Sequence, residues 1–206
     1  KFGPASGSFF NIGTSLVVFG ATDAANNGAS CSLTIVVIDS ERPVITSCPP
    51  SVTRTVDPGE CSSVVTFGNP TATDNCTASP AVSQLSGLPS GSAFPVGESL
   101  VRFQAQDAAG NIKTCYFYVD ILEEEAPTIT CPTNITQSST PGQCGATVSF
   151  NVAASDNCNV APTVTQTAGL ASGSLFPIGT TTLRFQARDF STNTATCSFT
   201  ITINDT

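Results

Sequence analysis

The sequence contains no histidine, tryptophan or methionine. Without histidine, the commonest general base and the commonest metal ligand are both missing. Lysine occurs only as Lys1 and Lys113, which argues against lysine–asparagine isopeptide crosslinks. Seven Lys and Arg stand against fifteen Asp and Glu, giving a formal net charge of −8. That balance suits neither nucleic acid nor an anionic membrane. No apolar run approaches the roughly 20 residues of a membrane span. The longest, around Leu33 to Ile38, reads as a buried strand. There is no helical periodicity of useful length, and no convergent acid pair or base-activated nucleophile, so an enzyme is not expected.

What the sequence does contain is a repeat. Ser90 to Cys115 reads SGSAFPVGESLVRFQAQDAAGNIKTC, and the same frame recurs at Ser6 to Cys31 and at Ser172 to Cys197. The closing cysteines, Cys31, Cys115 and Cys197, lie 84 and 82 residues apart. A period this constant marks one folding unit copied in tandem. The expected domains are therefore 1–40, which matches only the last half of a unit, then 41–122 and 123–206. The sequence opens inside a unit, so more of that unit is expected upstream.

Within the repeat, Val101, Phe103 and Ala105 alternate with Arg102, Gln104 and Gln106, and Cys115, Phe117, Val119 and Ile121 alternate with Tyr116, Tyr118 and Asp120. Period-2 alternation marks strands with one buried face. Val17, Phe19, Ala21, Leu33, Ile35 and Val37 repeat the inward set in the first half-unit, with Val36 and Ile38 on the outer face. Each complete unit opens with a strand, Val44 to Val56 or Thr128 to Ser139. A Pro-Gly turn follows, then a strand beginning at Cys61 or Cys144, a polar loop ending in Asp-Asn-Cys, a further strand, and the SGSxFPxG block read as a turn. The acidic, proline-ended linkers DSERP and EEEAP predict stiff connections that set neighbouring units nearly end to end. The expected fold is all-β: tandem sandwiches of about seven strands, similar in plan to immunoglobulin and fibronectin type III domains.

The pattern CP…C…DNC…SGSxFPxGxxxLxFxAxDxxGNxxxC resembles the hyalin repeat (HYR) domain, and the resemblance extends over all three units. It implies an extracellular, cell-surface or matrix protein whose tandem modules serve adhesion or act as spacers, and it does not imply catalysis. The sequence departs from the pattern at Asn11, at Asn26-Asn27 and at Thr192-Asn193, which bears on those turns only.

Nine cysteines at recurring places, none in CxxC pairs, read as disulfides formed in an oxidising compartment. Placing the first and last strands of a unit side by side brings Cys48 to Cys115 and Cys131 to Cys197. That leaves Cys61 with Cys76 and Cys144 with Cys158, although a straight second strand would carry Cys61 away from Cys76. Cys31 is left unpaired within the chain. Sequons at Asn75, Asn134 and Asn204, with about a quarter of the residues Ser or Thr, fit a glycosylated surface; Ser/Thr-linked glycans are the alternative.

Asp74 and Asp107 fall in loops expected at one end of a sandwich, where the linker acids Asp39 and Glu41 also enter. Asp156, Asp189 and Glu123 to Glu125 repeat the set. Such a cluster suits calcium, which takes six to eight oxygen ligands. The plainer alternative is that Asp107 and Asp189 only cap their turns. The functional expectation is a structural segment of an extracellular fibre, stalk or adhesin. Copies of itself or upstream repeats would complete the first half-unit, through strands or a disulfide, in a filament. The alternative is an adhesion module that recognises a glycan or a cell-surface protein through its loops.

Overall fold

The computed structural model describes residues 3–158 and 161–205, and every regular element among them is a strand. The first half-repeat forms one hairpin, β1 (Gly13–Thr22) and β2 (Gly28–Val37), in unbroken antiparallel register. The middle repeat supplies β3 (Val44–Ser47), β4 (Val52–Thr55), β5 (Ser62–Val65), β6 (Thr71–Thr73), β7 (Ala81–Ser86), β8 (Ser92–Pro95), β9 (Gly97–Gln106) and β10 (Ile112–Leu122). The third supplies β11 (Thr128–Thr130), β12 (Ile135–Ser138), β13 (Gly145–Thr147), β14 (Ala153–Ser155), β15 (Thr163–Ala168), β16 (Leu175–Pro177), β17 (Gly179–Arg188) and β18 (Thr194–Asn204).

Both complete repeats follow one plan. A four-stranded sheet runs β4-β10-β9-β7 in the middle repeat and β12-β18-β17-β15 in the third. Two strand pairs accompany each sheet, β3-β6 with β5-β8 and β11-β14 with β13-β16. The opening strand, expected to run unbroken from Val44 to Val56, is not continuous. It breaks at Cys48-Pro49-Pro50-Ser51, and its halves join different sheets: β3 is antiparallel to β6, whereas β4 runs parallel to β10. Proline cannot donate to a ladder, so the Pro49-Pro50 pair ends the first run and lets the chain switch sheets. Among the described residues each complete repeat therefore has eight strands, against the expected about seven. The SGSxFPxG block is also more than a turn, because Ser92–Pro95 pairs with β5.

In the third repeat the alternating residues meet in one core. Phe150 sets its edge against Phe185 and Phe199, at centroid distances of 5.9 and 5.2 Å, while Phe185 and Phe199 stack at 6.1 Å. Leu183, Ile201, Ile203 and Phe176 fill the space around them. The turns that join the long hairpins need a left-handed backbone. Gly110 supplies it at φ 92° in the middle repeat, while Asn26 and Thr192 adopt it at 65° and 80°. The sequence departures noted at those two turns thus keep the turn, at a steric cost for β-branched Thr192.

By contacts the described chain forms two compact units that do not coincide with the repeats. One comprises Lys1–Pro50, Gly68–Gly87 and Val101–Phe117, the other Ser51–Phe67, Leu88–Leu100 and Tyr118–Thr206.

Candidate functional site

The DxxxN turn at the end of the long hairpins is the element around which the acidic groups gather. In the middle repeat Asp107 Oδ1 accepts the Asn111 N–H at 2.8 Å, and Asp107 Oδ2 accepts Asn111 Nδ2 at 2.8 Å. Burial works against ionisation of Asp107, but the side-chain and backbone bonds from Asn111 overcome it and hold the carboxyl below its usual value. Asp23 and Asn27 repeat the arrangement in the first hairpin, and there too the bonds from Asn27 lower the aspartate. Asn111 Nδ2 also reaches the Asp39 carbonyl at 3.3 Å, tying the linker to the turn.

Asp39, Asp74 and Asp107 bring carboxylate oxygens within 4.8 Å of one another. Asp74 arrives from the Asp-Asn-Cys loop, where its Oδ1 accepts the N–H groups of Cys76 and Thr77 at 3.0 and 2.8 Å. Its Oδ2 is buried without a hydrogen bond. Glu41 stands beside the group and accepts Asn75 Nδ2 at 2.7 Å. Asp107 does cap its turn, and in this repeat it also faces two further acids.

The third repeat carries the corresponding residues Glu123, Asp156 and Asp189, which line one cavity of about 270 Å³ with Cys61 and Cys158. Here the amide has turned. Asn193 N–H still donates to Asp189 Oδ1 at 2.8 Å, but Asn193 Nδ2 now donates to Glu123 Oε2 at 3.0 Å. Asp189 is only 9% exposed, and its Oδ2 is left without a partner. Glu123, also buried, accepts the Glu125 N–H as well. Glu125 itself accepts Gly59 N–H, from the DPGE turn, at 2.8 Å.

Two disulfides lie within repeats: Cys48–Cys115, with Cα atoms 6.3 Å apart, and Cys131–Cys197, at 5.9 Å. The remaining expected pairings, Cys61 with Cys76 and Cys144 with Cys158, are corrected. Cys61 is bonded to Cys158, 97 residues along and in the next repeat, with a Cα–Cα distance of 5.1 Å. Cys31, Cys76 and Cys144 are exposed thiols. The reason is strand direction. β5 runs straight along β8 from Cys61. The polar Asp-Asn-Cys loop within reach of Cys61 is that of the third repeat. The sequence held the signal, since a straight second strand leads away from Cys76.

Among the sequon asparagines, Asn75, Asn134 and Asn204 are all exposed. Asn75 Nδ2 is engaged by Glu41, and Asn134 uses its Oδ1 to accept the Thr200 N–H at 2.9 Å.

The sequence matches the HYR domain over residues 2–37, 38–121 and 123–203. It is 36% identical to hyalin of Strongylocentrotus purpuratus over 205 residues, an alignment covering 96% of this chain and 17% of that protein. For hyalin of Lytechinus variegatus the identity is 36% over 209 residues, covering 95% of this chain and 37% of that protein. The sushi, von Willebrand factor type A, EGF and pentraxin domain-containing protein 1 of Rattus norvegicus is 30% identical over 175 residues, 82% of this chain and 5% of its own length. The chain thus spans well under half the length of these relatives. Among solved structures, extracellular cadherin domains 1–4 of Protocadherin Gamma B7 cover 92% of this chain, and 57% of that chain is matched, at 17% identity and a TM-score of 0.37, a poor whole-chain superposition. The chain belongs to the HYR domain family.

Proposed function

We propose that this chain is a structural segment of an extracellular fibre, stalk or adhesin, and that strands of the same repeat type from a neighbour complete its first half-repeat. The observation that carries this reading is the exposure of one apolar face. Phe19 is 42% exposed, whereas the corresponding Phe103 and Phe185 are 2% and 6% exposed. Leu33, the counterpart of buried Phe117 and Phe199, is also exposed. A two-stranded hairpin is marginal in water, and open strand edges invite pairing. The neighbour is an upstream repeat or another subunit, and strand donation between subunits makes folding and polymerisation one event. A size measurement on the isolated chain, with and without reductant, tests it. Concentration-dependent assembly supports the reading. A stable monomer with a folded first hairpin and a free Cys31 thiol contradicts it.

A second reading concerns calcium, and the unpartnered Asp74 Oδ2 favours it. Asp39, Asp74 and Asp107 would supply the first oxygens, with Glu41 beside them, and Glu123, Asp156 and Asp189 would form the second site. Calcium takes up carboxylate oxygens that otherwise sit close together uncompensated. Chelated protein given excess calcium should melt at a higher temperature, and Asp74→Asn should reduce that shift. An unchanged melting temperature removes the site. Asn134 and Asn204 are the sequons where a glycan is most readily carried, because the Asn75 amide is already bonded to Glu41.

A further inference from the structure

Two of the three exposed thiols, Cys76 and Cys144, follow one rule that the Cys61–Cys158 bond exposes. Cys158 closes the Asp-Asn-Cys loop of the third repeat, and Cys76 is its counterpart in the middle repeat. Cys61 leads β5, and the residue after β8, Val96, donates its N–H to the Cys61 carbonyl at 3.1 Å. Cys144 leads β13 in the same way, with Ile178 N–H donating to its carbonyl at 3.3 Å. A cysteine at the head of this strand thus has its carbonyl fixed by its own repeat. In the observed bond its sulfur reaches the loop of the repeat that follows.

The cavity beside Cys76 is the same cavity with one wall missing. Around Cys61–Cys158 it is lined by Pro95 and Val96 on one side and by Glu123 and Asp156 on the other, and it measures about 270 Å³. The corresponding cavity beside Cys76 is lined by Asn11 and Ile12 and by Asp39, with Phe9, Val37 and Ile38 added, and it measures about 610 Å³. No β5 stands in it. The segment Ser8 to Asn11 corresponds to β8, yet it is not a strand, and among the described residues no strand pairs with it as β5 pairs with Ser92–Pro95. Phe9 is 90% exposed, and Phe10, the counterpart of fully buried Phe94 and Phe176, is only partly covered.

We propose that this cavity is the docking site for a cysteine-led β-strand of the β5 kind, which pairs with Ser8 to Asn11 and is locked by a disulfide from its leading cysteine to Cys76. The register follows from β5 and β8. Residues corresponding to Ser62, Ser63, Val64 and Val65 would face Asn11, Phe10, Phe9 and Ser8, and Ile12 N–H would donate to the carbonyl of the leading cysteine. This deepens, and rests on, the strand-completion reading above. Forming the bond is a two-electron oxidation, so a low-molecular-weight disulfide must accept the electrons. The strand's cysteine first exchanges with that disulfide and releases one small thiol. The Cys76 thiolate then attacks the strand's sulfur, the new S–S bond forms, and the second small thiol leaves. Cys144 offers the other half of the same kind of bond.

The test uses the whole chain and a peptide of its own residues 60–68, with Cys61 carried as the mixed disulfide with 2-thiopyridine. Docking raises the local concentration at Cys76, so capture there should exceed capture at Cys31 and Cys144 by about tenfold or more. A scrambled peptide with the same cysteine should lose the preference. Equal labelling of the three thiols, or an equal preference with the scrambled peptide, overturns the assignment. Hydrogen exchange on the same samples separates the two levels of the account. A peptide that protects Ser8 to Asn11 without preferring Cys76 overturns the disulfide and leaves strand completion standing. A peptide that does neither overturns both.

Discussion

Cys61 and Cys158 are bonded across 97 residues, from the head of a strand in the middle repeat to a polar loop in the third. A crosslink of that span constrains the unfolded chain by about 4–5 kcal/mol in the loop-entropy model, against about 3 kcal/mol for a 15-residue loop. Cys61→Ser or Cys158→Ser should therefore lower the thermal midpoint markedly, and non-reducing peptide maps of the wild type should contain the Cys61–Cys158 pair. A map with Cys61 joined to Cys76 would contradict the structure.

Phe103 and Phe19 occupy the same place in two copies of one strand, yet only Phe103 is enclosed. Removing a buried Phe costs about 3–5 kcal/mol through lost burial and the cavity left behind. Phe103→Ala should lose stability on that scale in denaturant unfolding. Phe19→Ala should cost the isolated chain less than Phe103→Ala does, because part of its ring is already in water. Under conditions of assembly, the order of the two effects should converge.

Acid should weaken the long-hairpin turn. The Asp107 carboxyl is held below its ordinary value in the folded chain. Its contribution is therefore present above the unfolded value, about 3.9, and is lost as pH falls through the lower folded value. Thermal midpoints measured downward from pH 5 should fall more steeply for the wild type than for Asp107→Asn, which keeps an acceptor but does not titrate.

Much of this was legible in the sequence. The alternation from Val101 to Ala105 and from Phe117 to Ile121 marked the buried faces, because a half-covered strand must present apolar residues at every second position. The acids Asp39, Asp74 and Asp107 were legible as one cluster, because the DxxxN turn and the Asp-Asn-Cys loop recur in fixed relation to the strand ends. Two features were not. The break at Pro49-Pro50 and the switch of β4 to a parallel partner depend on which sheet has a free edge, and alternation is blind to that. The Cys61–Cys158 bond depends on which loop lies beyond the end of β5, which is a relation between repeats rather than within one. Hydrophobic pattern also describes the face of β1 and β2 correctly without saying what covers it. Val17 is buried, while Phe19 and Leu33 on the same face are exposed.

The most direct test of the central claim is amide hydrogen exchange along β1 and β2, followed as the chain is concentrated. Completion by strands from a neighbour predicts fast exchange from Val17 to Ala21 and from Leu33 to Val37 in dilute monomer. On assembly, protection there should rise toward that of β9 and β10. Equal, strong protection of β1 and β2 in dilute monomer would contradict it.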